Sequence, residues 1–244
     1  MPQAPFLSLI IPAYNEEQRL PDTLQKIHNF LTAQSYSSEV LVVENGSADH
    51  TFEVAQAFAE EHSSFRVLRA GDRGKGLAVR QGMLAAAGQH RMMADADLSM
   101  PVDQVNRFLP PQQTGANIVI ASREAPGAVR YNEPNYRHVG GRVINNLIRL
   151  MALPGLQDTQ CGFKCFTAAV AEDLFSKQTI LGWAFDVEIL YVARLRGYSI
   201  VELPIPWYYS PQSHLRPIHD SFRIFFDLLR IRSNARRGLY DRKA

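Results

Sequence analysis

The chain has 244 residues, 46% apolar and 20% charged, with a net charge of +2; it can form one large α/β domain or two small ones, and its near neutrality argues against nucleic acid as a partner. Two cysteines, Cys161 and Cys165, exclude a disulfide framework, and Cys-x₃-Cys alone makes no zinc site, so buried thiols in a reducing cytosol are expected. No apolar run reaches the roughly 20 residues of a membrane span, and Met1-Pro2-Gln3-Ala4-Pro5 has no basic n-region, so a soluble or surface-bound, cytoplasmic protein is expected.

In chain order, residues 6–12 form a compact apolar run, and residues 16–31 carry helical spacing through Leu20, Leu24, Ile27 and Leu31. A second apolar run at 39–44 precedes a helix from about 49 to 61. A strand is expected at 65–69, a helix at 76–87, a fourth strand at 90–95 and a fifth at 117–121. Continuous apolar runs, each followed by a helix, predict an α/β fold with a mostly parallel central sheet flanked by helices. Ligands of such sheets sit at the carboxyl ends of the strands. The polar clusters Tyr14-Asn15-Glu16, Glu44-Asn45-Gly46-Ser47, Asp95-Ala96-Asp97 and Ser122-Arg123 all fall there. Beyond them the pattern gives a helix at 137–151, a loop at 155–162, a short strand at 163–166 and a helix at 186–196. A strand at 199–203 is confined to an edge or an end by Pro204 and Pro206.

Side chains two apart on an extended backbone point the same way. The Asp95 and Asp97 carboxylates, just past a strand, can therefore share a divalent cation that in turn holds a diphosphate. Hard oxygen ligands with a few waters are what Mg²⁺ or Mn²⁺ takes on a nucleotide. Upstream, Pro12-Ala13-Tyr14-Asn15-Glu16 ends the first strand, residues 44–51 end the second, and Gly74-Lys75-Gly76 precedes the third helix. In order and spacing these four motifs resemble the family 2 glycosyltransferases over most of the chain.

The resemblance implies a GT-A (Rossmann-like) fold and a nucleotide-diphosphate-sugar donor. Pro12, Ala13 and Tyr14 would line the base pocket, and Glu16 and Glu44 would accept hydrogen bonds from uracil or ribose. Gly46 and Ser47 permit a tight turn towards a helix that Asp49 can cap. Lys75, beside a helix N-terminus, would approach the diphosphate, the alternative being a surface lysine between turn glycines. Asp97, assisted by Asp95 across Ala96 and weakly by Ser99, would hold the metal. Where many relatives have an acidic pair before Gly-Ser, this chain has Glu44-Asn45, and Glu44 is taken as the nucleotide contact.

In the second half, Ser122-Arg123, Arg137, the run from Asp158 to Lys164 and the run from Trp183 to Glu188 are similar to enzymes that charge polyprenyl phosphates with sugar, the dolichyl-phosphate glucosyltransferases first and mannosyl enzymes next. By that resemblance Arg123 and Arg137 would clamp the acceptor phosphate, with Arg216 as a third cation. A phosphate monoester, with a second pKa of about 6, is already nucleophilic near neutral pH. Asp158 and Asp186 are then bases or orienting groups, Asp186 being equally well placed as a helix cap.

The activity implied is metal-dependent, inverting transfer of glucose from UDP-glucose to a polyprenyl phosphate. Alternatives are a GDP-mannose donor, a non-lipid acceptor, or a non-catalytic nucleotide-sugar-binding protein. A glycosyltransferase domain is expected over 1–217, its donor half at 1–121 and its acceptor half at 122–217. From His219 onward seven basic residues face three acidic ones, so this tail carries +4 and the remainder −2. Residues 218–244 are read as an amphipathic basic helix and tail, with Ile218, Phe222, Phe225, Phe226 and Leu229 at helical spacing. Such a helix can lie on an anionic membrane surface or dock on the protein's own core.

Overall fold

The computed structural model describes residues 4–241 apart from 211–216. The elements are β1 (Leu7–Ala13), α1 (Leu20–Thr32), β2 (Ser38–Glu44), α2 (Thr51–Glu61), β3 (Phe65–Arg69), α3 (Lys75–Ala85), β4 (His90–Met93), a 3₁₀ helix (Val102–Phe108), β5 (Ile118–Ser122), β6 (Val129–Tyr131), α4 (Asn135–Met151), β7 (Lys164–Thr167), α5 (Ala168–Phe175), α6 (Phe185–Leu195), β8 (Ile200–Pro204), β9 (Pro206–Tyr208) and α7 (Pro217–Arg236).

Seven strands form one sheet in the order β3-β2-β1-β4-β7-β5-β8, and β6 pairs with β9 in a separate two-stranded ribbon. β3, β2, β1 and β4 are parallel, as are β5 and β8, while β7 runs antiparallel to both β4 and β5. The apolar runs are continuous because both faces of the sheet are covered. Ile10, Val43, Met93 and Ile120 meet residues of α3, α5 and α6 on one side, and Leu9, Ile11, Val42 and Met92 meet α1 and Phe108 on the other.

Three differences from the sequence expectation bear on the site. α1 begins at Leu20 instead of residue 16. Pro21 accounts for this, because proline fits only the first turn of a helix. The four residues before α1 instead form a turn in which the Glu16 carbonyl accepts the Arg19 and Leu20 N–H groups. β4 ends at Met93, so Asp95 and Asp97 lie in a turn and not on extended backbone; the Leu98 N–H donates to the Asp95 carbonyl at 3.1 Å. β7 is antiparallel, and its N-terminal residue Lys164 stands opposite Met93 and Ile120. The chain leading into β7 therefore reaches the same sheet edge as the carboxyl ends of β1, β2, β4 and β5. The 3₁₀ helix, α5 and the β6–β9 ribbon have no counterpart in the sequence expectation.

α7 docks on the core through Ile224, Leu228 and Ile231, all nearly inaccessible, on a helix face that the apolar spacing had not singled out. Its other side leaves Phe226 65% and Leu229 45% exposed beside the exposed Arg223 and Arg230. Among the described residues no helix is long and apolar enough to cross a membrane.

Candidate active site

Strand order reverses direction between β1 and β4, the position where open α/β sheets bind ligands. The Asp95-Ala96-Asp97 turn follows β4 there. Thr23 of α1 fixes it by donating to the Ala96 carbonyl at 2.7 Å, and the Ser99 N–H donates to Asp97 Oδ1 at 3.0 Å. Both carboxylates remain partly exposed. Lys75, the first residue of α3, places Nζ 2.6 Å from Asp95 Oδ1 and 5.2 Å from the centre of the Trp183 ring. Burial opposes the Lys75 charge, but Asp95, with Asp186 beyond it, outweighs burial and holds the ammonium above its ordinary pKa.

The strand ends beside this turn are cross-braced. Ala13 stands in register with Glu44, and Asn15 N–H donates to Ser47 Oγ at 3.1 Å. Glu44 receives the Ser47 N–H at 2.5 Å, and Gly46 takes φ +69°, a left-handed value that favours glycine. Asn45 receives the Gly74 N–H at 2.8 Å, so the residue that departs from the family's acidic pair ties the Lys75 loop to β2. Asp49 was expected to cap α2, but the helix starts at Thr51 with His50 at its N-cap; Asp49 accepts the Thr51 N–H at 3.1 Å and the Glu17 N–H at 3.2 Å from just before it. A cavity of about 320 Å³ opens here, lined by Glu44, Ser47, Asp49, Phe52, Glu53, Arg69 and Gly71. Tyr14, at the end of β1, lies under the Arg73 guanidinium, 4.4 Å from its ring centre. Glu16 is not presented to this space: it is buried and forms a bidentate pair with Arg19.

Beneath the turn lies a second, fully enclosed ion pair. Lys164 and Asp186 are 1% and 4% exposed, with Nζ 2.6 Å from Asp186 Oδ1. Burial holds Asp186 above the ordinary carboxylate pKa, against the pull of Lys164 and then Lys75. Asp186 makes no capping hydrogen bond to α6, which corrects that alternative; its carboxylate serves Lys164. Glu188, two residues further on, is completely buried and receives the N–H groups of Thr179 and Ile180 and the Tyr240 hydroxyl. It thereby shapes the loop whose Leu181 carbonyl accepts the Leu77 N–H at the start of α3.

On the other flank of the turn, β5 ends at Ser122 and delivers Arg123. Its guanidinium forks onto Asp158, Nε to Oδ2 at 2.6 Å and Nη2 to Oδ1 at 2.9 Å, and lies 5.6 Å from the Trp207 ring centre. Burial would raise the Asp158 pKa, but Arg123 takes it down to about 2. An acid that weak a proton acceptor is a poor base near neutrality. Of the two roles expected for Asp158, the geometry supports orientation of Arg123. The Gly162 backbone, two residues before Lys164, presses against Asp95: a Cβ added there would stand 2.0 Å from Asp95 Oδ2.

The structure thus gathers Asp95, Asp97, Lys75, Arg123, Asp158 and Asp186 along one edge of the sheet. Arg137 lies on α4, with its side chain outside the described residues, and Arg216 falls wholly outside them. Arg19, Gly162, Lys164 and Trp207 belong to the site's framework; Gly162 and Lys164 lay within the Asp158–Lys164 run without a role of their own, and Arg19 and Trp207 were not singled out from the sequence. Cys161 and Cys165 are free and buried, and burial pushes each thiol up to about 12.

Asp95 and Asp97 supply two hard oxygen ligands, and the buried Ser99 Oγ beside them has no hydrogen-bond partner. Among the described residues no third His, Cys, Asp or Glu completes a metal-binding group. Two carboxylates with nucleotide oxygens and waters completing the shell is the mode Mg²⁺ uses at phosphate substrates. The donor set fits.

A helix-covered sheet of this order, with carboxylates and a lysine at the switch point, has the GT-A architecture of glycosyltransferases. The same fold is seen in glucosyl-3-phosphoglycerate synthase from Mycobacterium tuberculosis, crystallised with Mn²⁺, UDP-glucose and phosphoglyceric acid, with a TM-score of 0.66 over 93% of this chain and 79% of that one. At 17% identity this likeness concerns the fold alone. The model of glycosyl transferase family 2 matches residues 8–175, and the chain belongs to that family. Its relatives include the dolichyl-phosphate beta-glucosyltransferase of Drosophila melanogaster, 36% identical over 92% of this chain and 74% of that protein. The human enzyme of that name is 32% identical over 93% of this chain and 74% of its own length, and that of Saccharomyces cerevisiae is 31% identical over 96% and 76%. The chain is a glycosyltransferase.

Proposed function

We propose that this glycosyltransferase moves glucose from UDP-glucose to a polyprenyl phosphate, using Mg²⁺ or Mn²⁺ and inverting the anomeric centre. The observation that carries the reading is the placement of Asp95, Asp97, Lys75 and Arg123 along one sheet edge in a chain whose relatives bear the name dolichyl-phosphate beta-glucosyltransferase. Pro12, Ala13, Tyr14, Glu44, Gly46 and Ser47 receive the nucleoside at the adjoining strand ends. A divalent ion held by Asp95 and Asp97 would supply Lewis-acid stabilisation of the departing diphosphate. Lys75 adds a second positive charge on the same side.

Arg123, aligned by Asp158 and Trp207, receives the acceptor phosphate together with Arg137 and Arg216. Nε and one face of Nη2 already serve Asp158, which leaves the far side of the fork for a phosphate oxygen. The nucleophile needs no strong base, because the phosphate is already anionic. That suits a site in which Asp158 and Asp186 are both ion-paired. Attack opposite the diphosphate converts an α-linked donor into a β-linked lipid phosphate.

The test is a panel of UDP- and GDP-sugars with a short polyprenyl phosphate, followed by NMR of the lipid product. UDP-glucose is expected to give a β-linked glucosyl phosphate. An α-linkage would refute inversion, and turnover of GDP-mannose alone would replace the donor. The acceptor's lipid character further implies contact with a membrane surface through the exposed side of α7, on the cytoplasmic face. Co-sedimentation with anionic liposomes is expected to fall severalfold for Phe226→Glu and in high salt; binding indifferent to both removes α7 from the contact.

A further inference from the structure

One oxygen of Asp95 is already engaged, and the other is crowded from one side. Oδ1 carries the Lys75 ammonium at 2.6 Å. Oδ2 packs against the Gly162 backbone, where an added Cβ would be only 2.0 Å away. The carboxylate therefore has no room to swing from Lys75 towards Gly162. Asp97 is different: one oxygen receives the Ser99 N–H, and among the described residues no ion pair engages the carboxylate. A divalent cation bridging the two aspartates competes with Lys75 for the Asp95 carboxylate, because two cations within about 4 Å of each other repel strongly at a partly buried site.

The lysine backbone cannot retreat to make way. Gly74 N–H is held by Asn45 at 2.8 Å, and Leu77 N–H by the Leu181 carbonyl at 3.2 Å, on either side of Lys75. Only its side chain can move, and a flexible four-carbon stem permits that. It leaves Asp95 readily when another anion is offered, and the diphosphate of the donor is that anion.

We infer that Lys75 is the resident counter-cation of Asp95, competing with the divalent metal until a nucleotide diphosphate draws it away. The inference rests on the donor reading above for the identity of that anion. Its consequence is positive coupling: the metal binds weakly to the empty protein, the nucleotide binds weakly without metal, and each strengthens the other by the same factor.

The experiment measures Mn²⁺ binding to the full chain by electron paramagnetic resonance, with and without UDP, correcting for the Mn²⁺–UDP complex in solution. Wild type, Lys75→Met and Lys75→Ala are compared, with thermal melts confirming that each variant is folded. Without nucleotide, both variants are expected to bind Mn²⁺ roughly three- to tenfold more tightly than wild type. With UDP, wild-type affinity for Mn²⁺ rises about tenfold or more, and in the variants the rise shrinks to about threefold or less. Unchanged or weakened Mn²⁺ binding by both variants in the absence of UDP overturns the inference. If wild type binds no UDP with or without Mn²⁺, the donor reading fails, while tighter Mn²⁺ binding by the variants still supports the competition at Asp95.

Discussion

Asp97→Asn is expected to lower sugar transfer by roughly a thousandfold, about 4 kcal/mol of transition-state stabilisation, with little change in melting temperature. Asparagine keeps an oxygen where Asp97 Oδ1 receives the Ser99 N–H, so the turn is preserved. What disappears is the negative charge that holds the cation. Asp97 is the cleaner test of the pair, because Asp95→Asn would also leave Lys75 without its partner. Transfer assays at saturating metal and calorimetric melts decide the matter. Activity within about tenfold of wild type would remove Asp97 from the metal site.

The largest effect on stability is expected at Lys164. Lys164→Met leaves the Asp186 carboxylate buried at 4% exposure without its ammonium. Breaking an enclosed ion pair from one side costs about 3–5 kcal/mol, whereas replacing both members by apolar groups is close to neutral. Lys164→Met/Asp186→Leu should therefore recover most of the loss, as measured by denaturant unfolding. The single variant should also show a distinctive pH dependence. Burial already raises the Asp186 pKa with Lys164 present, and it rises further without it. The folded state then binds a proton that the unfolded chain releases near 3.9, so stability is lost as pH rises above that value and returns on acidification. A double variant no more stable than the single one would refute the pairing argument. A folded double variant that retains transfer removes Asp186 from the role of base.

The donor half was legible in the sequence because most of its chemical groups stand at the end of an apolar run. A buried parallel strand reads as a short continuous stretch of Val, Ile and Leu, and its last residue marks the edge where ligands sit. Asp95 and Glu44 were located that way, as was Arg123 in the acceptor half, whereas Lys75 was marked by its flanking glycines before a helix. Glu16 followed the same rule yet faces Arg19, because the pairing of two neighbouring side chains is decided by a turn geometry that spacing does not reveal. The start of α1 was legible in principle, since Pro21 forbids a helix begun four residues earlier.

The order and near-complete apolarity of the runs, together with the motifs at their ends, determined an α/β glycosyltransferase domain with carboxylates at the switch point. Only the tertiary structure decided that β7 runs against its neighbours, which carries the Asp158–Lys164 run to the donor edge from the opposite direction. Strand direction within a sheet depends on how distant segments cross, and no local pattern encodes it. The same holds for the burial of Lys164: a charged residue enters a core only where a partner such as Asp186 awaits it, and that partner lies 22 positions away in the chain.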